Sequence, residues 1–389
     1  MMGTEPRKER RVGRRGVTLM EVLISIFVLS VGMLGVAALI PIGRHTLVEA
    51  GKADRAGACG RAAMRMVKNT RILEGNNSAR RDATCYGWYT SGTIYPYDSF
   101  CLDPLGYTRN GLSSNLRRFP AATVNLNDTG NQFSMPRISL TLPGTNTAIS
   151  LETAQRMFTW EDDRLFDIPV ENRQQRPRQM VLFDNDVVAP LPRLLATDPV
   201  IPGGSAALAA ESEGAYSWMA TISPHYWVIS GVATPTADQL LYNISIVVFY
   251  RRNFNMPDPN DAAPSERVAT VDSMNSLRVG VGGGRVRLNV AQRSTDNQRW
   301  LDLDHGQWIM LAGRTSGWPV MSIFRWYRVA SAGETSLSGG YYRRYVTLEG
   351  PDWPSSAVSQ TRAVILNGVV GVYTVPLEKE TSGGVWDIR

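Results

Sequence analysis

A single carboxylate stands inside a segment whose other side chains reject charge. Residues 17–42 are 26 positions long and carry one ionisable side chain, Glu21. An unpaired acid in hydrocarbon costs a few kcal/mol, so an intramembrane Glu is a candidate for work rather than packing. Two readings stand at this point: Glu21 lies near a membrane surface and snorkels to water, or it finds a counter-ion. Residues 1–16 precede the run with six basic side chains (Arg7, Lys8, Arg10, Arg11, Arg14, Arg15) against Glu5 and Glu9, and end in Gly16. A basic flank of this kind keeps the N-terminus cytoplasmic and sends the rest outward. An ordinary secretory signal has a shorter apolar core with small residues at its cleavage site. The Arg14–Arg15 pair also suggests twin-arginine export, which an acid inside the apolar run fits poorly.

Other chemistry is sparse. There is no G-x-S-x-G nucleophile elbow and no phosphate-binding loop, and residues 280–285 fail the dinucleotide pattern at its last glycine. The three histidines are His45, His225 and His305. Asp302-Leu303-Asp304-His305-Gly306 is the best acid–histidine cluster, placed where a strand would turn. Glu161-Asp162-Asp163 with Asp167 matches no compact calcium loop and reads first as a solvated turn. No catalytic, cofactor-binding or metal residue is assigned, and no cofactor is expected. In an exported chain Cys85 and Cys101 could close a disulfide-bonded loop; the alternative is that they and Cys59 are plain thiols.

The stretch Arg14-Arg15-Gly16-Val17-Thr18-Leu19-Met20-Glu21-Val22-Leu23-Ile24 resembles the processing signal of type IV prepilins and pseudopilins. That family has a basic leader ending in Gly, then an apolar helix with Glu at its fifth position. Residues 29–39 look most like minor pilins of the PilV type and the minor pseudopilins of type II secretion. The resemblance covers residues 14–39, under a tenth of the chain. It implies cleavage between Gly16 and Val17 by a prepilin peptidase and N-methylation of the new Val17 amine; Val17 stands where the family often has Phe. It also implies that the chain is no enzyme. Its partners would be other pilin or pseudopilin subunits, the prepilin peptidase, an inner-membrane assembly platform and membrane lipid. Cleavage creates a cation four residues from Glu21. In a low-dielectric layer that amine on one subunit and the Glu21 carboxylate of the next would neutralise each other and set an axial register.

These residues need an element to carry them. As a helix, residues 17–42 would be roughly 39 Å long, enough to cross a hydrocarbon layer. From Glu21, helical spacing leads to Ser25, Val28, Gly32, Gly35 and Leu39, all within about 40° of one direction. Ser25, Gly32 and Gly35 thus form a small-residue stripe suited to close helix packing. Pro41 predicts a kink, and the helical pattern resumes to the stop signal at residues 74–78.

The expected organisation is a basic leader (1–16), a transmembrane helix (17–42), the exported half of the same helix (43–74), a loop-rich region with short strands (75–215) and a β-rich head (216–389). In the last region, eight of the ten tryptophans and alternating runs such as residues 216–222, 242–250 and 363–375 predict a packed antiparallel sheet. The same aromatic load would also suit a sugar- or partner-binding face. The fold class is α+β: a long pilin-type membrane-spanning helix on a mostly antiparallel globular head. The formal charge of +6 is largely the leader's, leaving the other 373 residues a surplus of two. That balance argues against direct nucleic-acid binding by the mature chain. Localisation follows as a single pass in the inner membrane, head outward, and then a pilus or a type II secretion pseudopilus. The competing function is a signal-anchored envelope enzyme or binding protein whose helix is only a tether.

Overall fold

The computed structural model describes residues 19–69, 73, 87–89, 99–109, 118–120, 133–141, 147–160, 216–224, 241–252, 265–273, 283–292, 298–314, 322–353, 361–379 and 386–388. Within the first helix, the side chains of Val36, Ala38, Pro41, Ile42 and His45 are outside that description. The chain divides into two compact units, Met1–Lys52 and Ala53–Arg389. Helix α1, Leu19–Asn69, is assigned as helix without a break through Pro41.

In the first unit the helix is apolar on every side up to Gly35, interrupted by Glu21, Ser25 and Ser30. Among the described residues no helix is long and apolar enough to cross a membrane. The unbroken described apolar stretch, residues 19–35, is roughly 26 Å of helix, a little short of a ~30 Å hydrocarbon layer.

The second unit is an N-terminal helix segment followed by a β-rich, mostly antiparallel head. Its first sheet has nine strands. They are β1 (Gly87–Tyr89), β2 (Phe100–Leu102), β3 (Arg118–Phe119), β4 (Met135–Thr141), β5 (Thr159–Trp160), β6 (Tyr216–Pro224), β7 (Leu241–Tyr250), β15 (Val369–Lys379) and β16 (Trp386–Ile388). The order is β1-β4-β2-β6-β7-β15-β16, with β3 beside β4 and β5 beside β6. All pairs are antiparallel except β2–β4.

The central strands are buried on both faces, which is why their apolar residues run together as Ile246-Val247-Val248-Phe249. Trp218, Ala220, Ile222, Ile244, Ile246 and Val248 form one core with Ala56, Cys59, Ala63 and Val67 of α1. The spacing of those four helical residues marks one face. Helix α2 (Pro104–Arg109) and helix α3 (Leu151–Phe158) complete this layer; Phe158 stacks on Trp218 at 4.3 Å, whose Nε1 donates to the Met157 carbonyl at 3.2 Å.

The second sheet contains β8 (Glu266–Ser273), β9 (Gly283–Ala291), β10 (Trp308–Arg314), β11 (Ser322–Ala332), β12 (Ser336–Ser338), β13 (Tyr341–Glu349) and β14 (Thr361–Leu366). Its order is β11-β10-β14-β8-β9-β13-β12, and β11 also pairs with β13. That extra pairing closes six strands into an antiparallel barrel, from which β12 projects with β13 as a hairpin. Val286, Leu288, Val290, Ile309, Leu311, Ile323, Val329, Val346, Leu348 and Ile365 alternate inward and fill the barrel, with Trp300 and Trp353 in the same core. The opposite residues of β10, β11 and β14 (Met310, Ala312, Phe324, Trp326, Val364, Leu366) pack on the other face of the first sheet, against Met219, Val247 and Phe249. Trp326 Nε1 donates to Thr221 Oγ1 at 3.0 Å across this contact.

The run 363–375, expected as one strand, is two. Asn367–Gly368 turns the chain from β14 in the barrel to β15 in the first sheet. Gly368 has φ +77°, and a Cβ there would meet the Tyr250 carbonyl oxygen at 2.7 Å, so the turn demands glycine.

Candidate processing and assembly site

Gly16 and Val17 lie outside the described residues. Glu21 is the third residue of the described part of α1, and its side chain is exposed. Ser25 Oγ donates to the Glu21 carbonyl at 2.7 Å, and Ser30 Oγ to that of Ile26 at 2.7 Å. Both hydroxyls are thus satisfied within their own helix, which lets serine sit in apolar surroundings. An added Cβ at Gly32 or Gly35 would meet nothing within 4 Å, so the small-residue stripe is an open notch. Around it the apolar side chains face outward: Leu19 is 79% exposed, Phe27 69% and Leu34 74%. Among the described residues up to Gly35, no side of this helix is covered within its own unit. Water does not support such a surface, and lipid or apolar helices of other chains would.

The same helix changes character in the second unit. A Cβ on Gly60 would overlap the edge of the Tyr373 ring, and one on Gly57 would sit 3.6 Å from the Tyr373 hydroxyl. Here the small residues are filled by the first sheet.

The head contains a second charged constellation that sequence reasoning missed. Asp103, between β2 and α2, is fully buried. It receives Arg252 through two bonds of 2.8 and 2.6 Å, Arg137 Nη1 at 2.8 Å and the Gly106 amide at 3.0 Å. Arg137 also donates to Glu266 Oε1 at 2.7 Å. Two cations and two anions therefore cancel inside the head, joining β2, β4 and the end of β7 to barrel strand β8. Burial alone would raise the Asp103 carboxyl; the guanidiniums of Arg252 and Arg137 outweigh it and hold it at about 2. The four residues are far apart in sequence, and no local pattern marks them as partners.

Cys101, on β2, is a free and wholly buried thiol, 3.9 Å from Met219 Sδ. Cys85, its candidate disulfide partner, lies outside the described residues. Burial, reinforced by the Asp103 charge, pushes the Cys101 thiol well up, and burial pushes Cys59 up to about 12. Neither is poised as a nucleophile. Asp304, His305 and Gly306 form a tight turn, with Gly306 at φ +82° and the Gln307 amide donating to the Asp304 carbonyl at 3.2 Å. The acidic cluster at residues 161–163 with Asp167 falls outside the described residues. Among the described residues no group of three His, Cys, Asp or Glu side chains is placed to hold a metal ion.

Residues 11–37 match the family model described as the prokaryotic N-terminal methylation motif. No curated protein and no solved structure matches the chain. The matched segment spans Gly16, Val17, Glu21, Ser25, Gly32 and Gly35, so the chain carries a type IV prepilin-like N-terminus. That motif marks a membrane-anchored envelope protein matured by a prepilin peptidase.

Proposed function

We propose that the chain is a structural subunit of an envelope filament, either a minor pilin of a type IV pilus or a minor pseudopilin of type II secretion. In this reading a prepilin peptidase cuts between Gly16 and Val17 and the Val17 amine is methylated. The mature helix crosses the inner membrane once, leader side in the cytoplasm and head outside, and then passes laterally into the filament through the assembly platform. Glu21 of the incoming subunit neutralises the Val17 amine of one already assembled. The Gly32–Gly35 notch admits a neighbouring helix backbone.

The observation that carries this reading is Glu21, fixed five positions after Gly16 in a helix whose apolar side chains are exposed all round. A mere tether needs neither the acid nor the notch. The test is Glu21→Val in the native host. Mass spectrometry should show the variant cleaved after Gly16 like the wild type, while sheared filaments should lack it. Normal incorporation of the variant, or a wild-type chain that keeps residues 1–16, defeats the reading.

A further inference from the structure

The turn that hands the chain from the barrel to the first sheet is an Asn-Gly pair, in which a side-chain amide can meet the next backbone nitrogen with no Cβ in the way. Strand β14 runs antiparallel to β8, with Ile365 opposite Arg267 and Leu366 opposite Glu266. The Asn367 amide continues that ladder to the Ser265 carbonyl at 3.3 Å. Asn367 is half-buried and Gly368 is exposed, so water reaches the turn. The Gly368 N–H takes no hydrogen bond among the described residues.

Arg267 is 4% exposed, and its guanidinium donates only to neutral oxygens, the Arg299 carbonyl at 2.6 Å and Asn367 Oδ1 at 2.8 Å. Its Nε is buried without a partner among the described residues. Burial lowers the guanidinium to about 10, with the charges of Asp302 and Asp304 opposing the shift. A buried cation met by carbonyl oxygens alone is poorly compensated, and a carboxylate in place of the Asn367 amide would supply the missing charge. The same cation, bonded to Oδ1, draws electrons from Asn367 Cγ and stabilises the oxyanion that forms when a nucleophile adds there.

We propose that Asn367–Gly368 is a self-modification site, where the folded head converts the Asn367 amide into a carboxylate that pairs with Arg267. Solvent base removes the Gly368 N–H proton, and the nitrogen adds to Asn367 Cγ. The Cγ–Nδ2 bond breaks, Nδ2 takes a proton from water and leaves as ammonia, and a succinimide ring remains. Water then adds to Cγ, the new Cγ–N bond breaks, and the nitrogen recovers its proton. The sum is amide and water giving carboxylate and ammonium. Opening at the main-chain carbonyl instead would insert a side-chain carbon into the backbone; the guanidinium, by polarising Cγ, selects the ordinary linkage. The product ties β8 to the crossing between barrel and first sheet, beside Glu266 and its bond to Arg137. This chemistry stands apart from the filament reading, because it needs only the folded head.

The experiment incubates the full chain in detergent near neutral pH, native and denatured side by side. Both are digested in heavy-oxygen water, which marks any conversion during digestion. Mass spectrometry of the peptide holding residue 367 reads the change from amide to carboxylate and separates the two linkages. The native chain should convert at least as fast as the denatured one and yield mainly the ordinary linkage; chain already converted on purification is the same result. Arg267→Lys keeps the charge but loses the fork, and should slow the native reaction several-fold. Asn367→Asp should melt a few degrees above chain that still carries the amide, and it carries the test if Arg267→Lys misfolds. Slower conversion in the native chain than in the denatured one, a product mainly of the lengthened linkage, an unslowed reaction in folded Arg267→Lys, or an unraised melting temperature for Asn367→Asp would each overturn the proposal.

Discussion

Glu21 and Asp103 are both carboxylates in apolar surroundings, and on the reading proposed above they are provided for in opposite ways. Asp103 has its counter-ions inside the same head, Arg137 and Arg252, within 2.8 Å. Its folded value of about 2 lies below the ordinary 3.8, so its contribution to stability is present above about pH 4 and disappears as pH falls through about 2. The shift corresponds to about 2 kcal/mol. Melting of the detergent-solubilised chain should show that loss over this acid range, and Asp103→Asn should remove this part of the slope. The same variant leaves two buried guanidiniums without their carboxylate and should cost about 3–5 kcal/mol at neutral pH. A stable Asp103→Asn chain with an unchanged acid profile would show that the network does not hold the sheet to the barrel. Glu21 was legible because its oddity is local: one acid in an apolar run. Asp103 was not, because its partners lie 34, 149 and, through Arg137, 163 positions away, and only the fold brings them together.

At the scale of elements, α1 uses glycine for two different ends. Gly60 admits Tyr373 of β15, so Gly60→Ala must push either the ring or the helix and should destabilise the head by about 1–3 kcal/mol, read as a lower melting temperature. Gly32 has open space where a side chain would go, so Gly32→Leu should leave the melt unchanged and act only on incorporation into filaments. An equal loss of stability in the two variants would refute this division. Helix α1 was readable because its pattern is long and periodic. Among the strands, β6 and β7 followed their alternating or apolar runs to within two residues at either end. Strand β8 was passed over: Glu266, Arg267 and Asp272 make it look like loop. Yet Arg267 is buried, held by the Arg299 carbonyl at 2.6 Å and Asn367 Oδ1 at 2.8 Å. Asn367–Gly368 is a familiar turn pair that a continuous apolar pattern hid.

The whole molecule sets the order of strands, and that order was not legible. Strand β15 comes late in the chain but lies beside β7, and β1, β2, β3, β4 and β5, from the stretch expected to be loop-rich, share their sheet with β6, β7, β15 and β16. Non-local pairings of this kind leave no trace in local periodicity. The layering has a simple readout, because Cys59 lies in the core between helix and sheet and Cys101 in the core between sheet and barrel. Both thiols should resist maleimide in the native chain and react fully in denaturant, with the sites mapped by mass spectrometry. Rapid native labelling of either would mean that its layer is open.

The barrel's closure bears on how copies of this chain can associate. With β11 zipped to β13, its six staves are paired all the way round. A closed ring of strands offers an incoming strand no edge to template on. On the filament reading proposed above, the barrels of heads crowded side by side are therefore guarded against runaway cross-β pairing, and ordered polymerisation is left to the greasy rod.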